Sequence, residues 1–553
     1  LHCTKIAHPI FVAMRFSINA IAYFLVAIFV VVFVLILIVP IGHTGDGWGY
    51  AADVMRANSW QSPDLVSAHH LLYNYFCYAS KSVFLHCNIN PINGFTAINW
   101  IFYGFILWIL YKTLRALNQN KWASFNWTLL IAGCYGLLRF ALENEIYILP
   151  LFFALLGSHL VFFLKNKRSK ELWGVSCFTI AVLFHQSYIF WLIAFCIHSF
   201  YQRRFLVPFL SILTIVLFYL LFAIKQNQSL LGFVLNDANN GLVQLIPDVN
   251  NFKFTLINGF RSLFQVHGNM VILFNSWTLL SIIGLSGFAL FITVTLRSFL
   301  KYNTINELND RDNKSTKALT HRMSNPFFIA FFLHLAFAFY SVGNAEFMVM
   351  LPILFLLSFY DKIIPLFTHI HLMTLGIWIY NIVFYIIPLS SGTFDDIGGT
   401  SKLLSKDHPK SPFLLVSSNA VAIHNKLEYD IAVQRYTRSL IENSNNQGDY
   451  IKDTNDSSAF STSQKNVHGE FLIGQNPKEV DRILKAIANQ EIEVYTDNTL
   501  LFNDLKSTSR AAMLIDPYLK NRLSNCKWIK IQEENFSNPK RKLELYKIVR
   551  EKK

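Results

Sequence analysis

Apolar residues gather into runs near membrane-crossing length, separated by short polar joints, from about residue 18 to about residue 388. Read in order, they predict roughly eleven helical spans: Asn19–Ile41, Phe95–Leu114, Trp127–Leu142, Ile146–Leu164, Leu172–Phe184, Tyr188–Tyr201, Phe205–Ile224, Trp277–Leu296, Pro326–Val342, Phe347–Tyr360 and Ile363–Pro388. Several are short for a lipid-crossing helix. Beyond Pro388 the pattern changes. Pro412–Ser418 and Glu470–Ile473 read as short buried strands. Pro477–Gln490 places Val480, Ile483, Leu484 and Ile487 on one helix face, with Pro477 suited to the first turn. Glu491–Thr496 alternates like a strand, and Trp528–Ile531 and Leu543–Val549 offer two more, while the polar tract Asn443–Lys465 is expected to be a mobile loop. The pattern thus predicts a polytopic α-helical membrane protein, residues 19–388, followed by a soluble α/β domain at 389–553.

Composition agrees: of 553 residues, 53% are hydrophobic and only 15% charged. The net charge of +14 does not indicate a nucleic-acid partner, because Lys and Arg collect in alternate joints. Lys112, Arg115 and Lys121 follow the second span, Lys165, Lys167, Arg168 and Lys170 the fourth, and Arg203 and Arg204 the sixth. Arg297, Lys301, Arg311, Lys314, Lys317 and Arg322 follow the eighth, and the opposite joints after the third, fifth and ninth spans are almost free of such residues. The positive-inside rule makes the basic joints and residues 1–18 cytoplasmic, and an odd number of spans then carries residues 389–553 to the extracytoplasmic side. Met14, directly before the first run, is expected to be the natural start; that run is too long for a cleaved signal peptide. Low charge with many Asn, Lys, Ile and Phe suits an AT-rich bacterial gene, and the spans then place the protein in the inner membrane.

Cys134, Cys177 and Cys196 fall in apolar runs and read as packing residues. Cys77 and Cys87 share the first polar loop, 42–94, as free thiols or, in an oxidising compartment, as a disulfide. No Cys/His cluster has metal-ligand spacing; a divalent ion is expected only if the fold joins Asp46 to Glu145.

Polar residues gather on the joints poor in Lys and Arg. The stretch His43-Thr-Gly-Asp-Gly-Trp-Gly-Tyr-Ala-Ala-Asp-Val54 follows the first run, and His69 and His70 lie further along its loop. Arg139 with Glu143-Asn-Glu145, His185-Gln186, and Gly343-Asn-Ala-Glu346 occupy later joints on the same side. Four distant parts of the chain thus bring ionisable groups to one membrane face, where such groups mark function by default. Each has a plainer reading: Glu143 is four residues from Arg139, as in a helix-surface ion pair, His185 can bond a neighbouring helix, and Asp53 suits a solvated face paired with Arg56. Asp46, between Gly45 and Gly47, is expected on a sharp turn against the membrane.

Asp46-x-x-x-Tyr50 at the start of a long first loop, Glu143-Asn-Glu145 before Tyr147-Ile-Leu-Pro150, Phe184-His185-Gln186, and Glu346 before Leu351-Pro352 together resemble the GT-C superfamily of integral-membrane glycosyltransferases. Relatives there include protein O-mannosyltransferases and the aminoarabinose transferase of lipid A. The resemblance implies an inverting transfer from a polyprenyl-phosphate sugar to a hydroxyl of a glycan, lipid or protein on the extracytoplasmic face. It implies Asp46 as the base, with Arg139, His185 or His70 near the donor phosphate. Asp53, Tyr50, His69, Glu143, Glu145 and Glu346 would then bind or orient the sugar and acceptor. Two alternatives remain open. A lipid-linked polysaccharide polymerase would use a large arginine-rich loop, whereas Asn227–Met270 offers only Lys253, Arg261 and His267. A glycolipid transporter or flippase would have repeated halves and broken mid-membrane helices.

Overall fold

The computed structural model describes residues 44–549 apart from 119, 163–167, 204–205, 236–246, 267–268, 310–324, 368, 391–395, 408–412, 418–419, 447–468, 473–476, 490–492, 498–525 and 538–539. The first run, the N-terminal segment with Met14, and His267 lie outside the described residues. The described part is mostly helical. Pro91–Leu117, Pro208–Lys225, Thr278–Leu300 and Ile370–Ser390 are long and apolar enough to cross a membrane. The candidate span Trp127–Leu142 is instead two helices, α3 (Lys121–Ala132) and α4 (Tyr135–Leu142), meeting at 65°. Counting that pair as one gives five such helices among the described residues, where the sequence pattern gives about eleven. Length accounts for part of the difference. The helix Ile148–Phe162 has 15 residues, about 22 Å at ~1.5 Å per residue against a hydrocarbon core of ~30 Å.

The stretch expected to turn is a helix. Gly45–Arg56 forms α1, capped by Thr44, whose Oγ1 accepts the Gly47 N–H at 3.2 Å. Trp48, Ala51, Ala52 and Met55 recur at helical spacing and are buried. None of the glycines in α1 has positive φ, so the reason for them is not a turn.

A second loop helix, α2 (Tyr73–His86), closes the far end of α1: the buried Lys81 ammonium donates to Val54 O at 3.1 Å and Ala57 O at 2.6 Å. Cys77 is buried on α2, and Cys87 is exposed just after it; both are free thiols. Ten helical steps separate them by roughly 15 Å, beyond the ~7 Å that a disulfide tolerates between Cα atoms.

An amphipathic helix, α5 (Val249–Arg261), starts on an Asp248 capping box. It is pinned from beneath by Asn251 Nδ2 to Phe339 O at 2.8 Å and Asn258 Nδ2 to Gly343 O at 2.6 Å.

After residue 390, five strands form one sheet in the order β2-β1-β3-β5-β4: β1 (Phe413–Val416), β2 (Gly469–Leu472), β3 (Glu493–Asp497), β4 (Lys527–Ser537) and β5 (Lys540–Val549). β1 is parallel to both β2 and β3, and β5 is antiparallel to β3 and β4. β1 is buried on both faces, which is why it reads as an unbroken Phe-Leu-Leu-Val run. Leu414 and Val416 meet Val480, Ile483 and Ile487 of helix Pro477–Asn489, while Leu415 meets Leu403, Leu404 and Ile423 on the other side. Ile423 belongs to α6 (Ala420–Asn446), the longest helix of this region. The tract expected to be a loop from Asn443 is helical to Asn446, and 447–468 lies outside the described residues.

Candidate functional site

The joint Glu143-Asn-Glu145 is the floor on which the site is built. Asn99, fully buried, donates from Nδ2 to Glu143 O at 3.0 Å and Glu145 O at 2.6 Å, fixing the backbone of the turn. Asn144 Nδ2 donates to Gly47 O at 2.7 Å, and its Oδ1 accepts from Tyr73 OH at 2.7 Å. Thr44 Oγ1 donates to Glu145 Oε1. The N-terminus of α1 is therefore stitched to the joint from two sides, and Asp46 stands in its first turn.

Close approach requires glycine here. A Cβ on Gly47 would lie 2.6 Å from Asn144 O. On the opposite side of α1, a Cβ on Gly45 would lie 2.8 Å from the Ala422 Cβ, and one on Gly49 2.9 Å from Asn425 Nδ2.

Asp46 is solvent-accessible yet walled by protein, and its carboxyl is pushed up to about 6, first by this burial and then by the charge of Glu346, with Arg139 pulling the other way. Glu145 is almost fully buried; burial, then the charges of Asp46 and Glu346, raise its carboxyl well above the ordinary range. Its Oε2 is buried with no hydrogen-bond partner. Burial and neighbouring carboxylate charge thus raise both carboxyl groups, and Glu145 is the more deeply buried of the two.

Glu346 belongs to the same group. Its Oε2 accepts from Tyr147 OH at 2.9 Å, and its N–H donates to Asn344 Oδ1 at 3.1 Å. Gly343, at φ +64°, makes this turn, and a side chain there would strike the α5 backbone at Thr255 N, 2.3 Å away.

Cations and imidazoles complete the wall. Arg139 on α4 spends Nε on Glu143 Oε2 at 3.0 Å, so the ion pair of adjacent turns exists; Tyr385 OH reaches Glu143 Oε1 at 3.4 Å. His185 Nδ1 accepts the Ser187 N–H at 3.1 Å, which places the ring proton of the neutral form on Nε2. Burial holds His185 well below its usual pKa and His70 at about 3, so both are neutral donors and acceptors. The rings of Tyr147 and His185 are 4.9 Å apart, those of His70 and His185 6.3 Å, and those of Tyr50 and His70 4.9 Å. His70 Nε2 meets Ser67 Oγ at 3.0 Å, and His69 Nδ1 meets Gln186 Oε1 at 2.9 Å.

The structure thus brings together Asp46, Tyr50, His69, His70, Arg139, Glu143, Glu145, His185 and Glu346. Asp53 stands apart from them: it pairs with Arg56, which also reaches Asp64 at 3.7 Å and Glu428 at 3.6 Å, at the far end of α1. Trp48 is buried against Tyr429, with ring centroids 5.3 Å apart, and is unavailable to a sugar or the membrane interface.

Sequence reasoning passed over Arg261. The last residue of α5 stacks its guanidinium 5.6 Å from the Tyr135 ring, its charge lowers the carboxyl of Glu143, and its Nε is buried with no hydrogen-bond partner. It is held there because Tyr135 N and Gly136 N, freed by the break between α3 and α4, donate to Leu263 O at 3.0 Å and Ser262 O at 2.9 Å. Only the Asp248 cap signal and the amphipathic pattern of α5 hinted at a docked helix ending in arginine. Among the described residues, no three His, Cys, Asp or Glu side chains are grouped to hold a metal ion.

Site and fold together define a mostly helical, membrane-type protein in which carboxylates, imidazoles and Arg139 gather around α1, the helix that α6 contacts from its other side. As a whole chain it is similar to the crystal structure of ArnT from Cupriavidus metallidurans in the apo state, with a TM-score of 0.43 and 11% sequence identity over 96% of this chain and 98% of that one. ArnT from the same organism bound to undecaprenyl phosphate gives a TM-score of 0.42 and 12% identity over 95% and 97% of the two chains. No protein-family model matches the sequence, and no curated protein matches it.

Proposed function

We propose that the chain is an inverting glycosyltransferase that moves a sugar from a polyprenyl-phosphate donor to a hydroxyl acceptor on the extracytoplasmic side of a bacterial inner membrane. Residues 19–388 are the membrane domain and 389–553 an extracytoplasmic domain in this reading. One observation carries it: the Asn144–Gly47 and Thr44–Glu145 contacts hold Asp46, in the first turn of α1, together with Glu145, Glu346 and the guanidinium of Arg139. The GT-C resemblance of the same residues agrees with it.

In the transfer, Asp46 takes the proton of the acceptor hydroxyl as that oxygen bonds to the anomeric carbon. The bond from the anomeric carbon to the phosphate oxygen breaks, and its electron pair leaves with the polyprenyl phosphate. Arg139 and Arg261 meet the charge of that phosphate, with Nε2–H of His185 as a neutral donor. Glu145, Glu346, Tyr50 and His69 orient the sugar and acceptor.

The broken pair α3/α4 is the feature a transporter reading would seize on. Its backbone is already spent on residues 262–263 and on Asn381, whose Nδ2 donates to Gly133 O at 2.7 Å, so it is not offered to a passing ion or substrate. The test is transfer from radiolabelled polyprenyl-phosphate sugars by purified protein. Wild type transfers label to acceptor, and Asp46→Asn lowers the rate by about two to four orders of magnitude, the range of a lost general base. Absence of transfer across donors, or an unaffected variant, overturns the reading.

A further inference from the structure

Helix α6 lies along α1, the helix that carries Asp46, on the side opposite the Glu143–Glu145 joint. Asn425 Nδ2 donates to Gly45 O at 3.2 Å, one residue from Asp46. Two turns of α6 continue the contact: Lys426 sits 4.7 Å from the Trp48 ring centroid, and Tyr429 packs on Trp48 while its hydroxyl accepts the Ile92 N–H at 3.2 Å and donates to Asn90 Oδ1. At the far end Glu428 meets Arg56 at 3.6 Å. The spacing of the glycines states the arrangement: Gly45 and Gly49 face α6, and Gly47, between them, faces Asn144. α1 is held between two partners that both touch its backbone, and neither contact leaves space for a methyl group.

We infer that α6 is a positioning element of the site: Asn425, with the Gly45–Ala422 contact, sets where Asp46 stands relative to Glu145 and Glu346. The inference rests on Asp46 acting as the base. It assigns the C-terminal region a part in placing the base, through the contact of α6 with α1. The mechanism is steric and needs no movement. A Cβ on residue 45 must push α1 away from Ala422 and therefore toward the joint, which Asn144 blocks through Gly47.

The test exchanges one methyl group across the contact. Gly45→Ala lowers kcat roughly 10- to 100-fold, the range for a displacement of about 1 Å at a reacting group. It leaves KM for the lipid donor within about two-fold and moves the acid limb of the pH profile. Ala422→Gly alone changes kcat by less than about three-fold, and Gly45→Ala combined with Ala422→Gly restores both kcat and the limb, a coupling that independent sites do not give. Since alanine favours a helix more than glycine by ~1 kcal/mol, loss of α1 itself does not explain the single variant. An unchanged kcat and pH limb in Gly45→Ala, or a double variant no better than the single, overturns the inference. Amide exchange scores the contact separately from the activity: Gly45→Ala and Asn425→Ala each speed exchange across residues 45–56, and Ala422→Gly reverses the effect of the first. Exchange that follows this pattern in a wild type without transfer contradicts the proposed function alone. Exchange that ignores the substitutions contradicts the clasp.

Discussion

Asp46 and Glu145 carry the same carboxyl group in different surroundings, and the difference lies in solvation. Asp46 reaches solvent and feels Arg139; Glu145 is buried beneath Thr44 with one oxygen unpaired. The same logic separates the cations from the imidazoles, because burial discharges His70 and His185 but leaves guanidinium groups charged. Arg261 should then bind the donor phosphate and not the sugar. Arg261→Gln is expected to raise KM for the lipid donor about 10-fold or more, the range for a hydrogen bond to a charged group, with kcat changed less. An unchanged donor KM would remove Arg261 from the site. Asp46, Arg139, His185 and the three glutamates were legible in the sequence because ionisable residues are rare in apolar surroundings. Arg261 was not, since one arginine in a long polar stretch carries no such contrast until the fold docks it.

At the scale of elements, hydropathy located the helices and misjudged their shapes. Trp127–Leu142 is apolar but for Thr128 and Arg139, neither of which stands at Gly133-Cys134, so hydropathy does not mark the 65° break there. The break is stable only because Asn381 and residues 262–263, more than a hundred positions away, satisfy the freed backbone groups. The three glycines of α1 were equally open to two readings. Glycine serves turns through its φ and close contacts through its missing Cβ, and the identity of the neighbour, Ala422 or Asn144, decides between them. Amphipathic spacing did carry through where one face meets one partner, as in Val480, Ile483 and Ile487 against the sheet.

For the whole molecule, the proposed orientation depends on the bias of Lys and Arg among the joints, and Glu143, Glu145, His185 and Glu346 fall on the joints after the third, fifth and ninth spans, which are almost free of them. Because α6 packs on α1, the C-terminal region and Asp46 must share one side of the membrane. Val421, half exposed on α6, offers a place to read that side. In a Cys87→Ser background, Val421→Cys is expected to react with a membrane-impermeant thiol reagent added outside intact spheroplasts. Labelling only after the membrane is opened would reverse the topology and remove the extracytoplasmic site.

If Asp46 is the base and Glu346 tunes its carboxyl, both facts are written in the pH dependence of sugar transfer. Because the base must be ionised, kcat should fall as pH drops through about 6 in the wild type. Glu346→Gln removes a charge that raises the Asp46 carboxyl, so the limb should move to lower pH. An acid limb that stays in place in Glu346→Gln, or transfer that continues undiminished well below pH 6 in the wild type, would show that Asp46 is not a base tuned by Glu346.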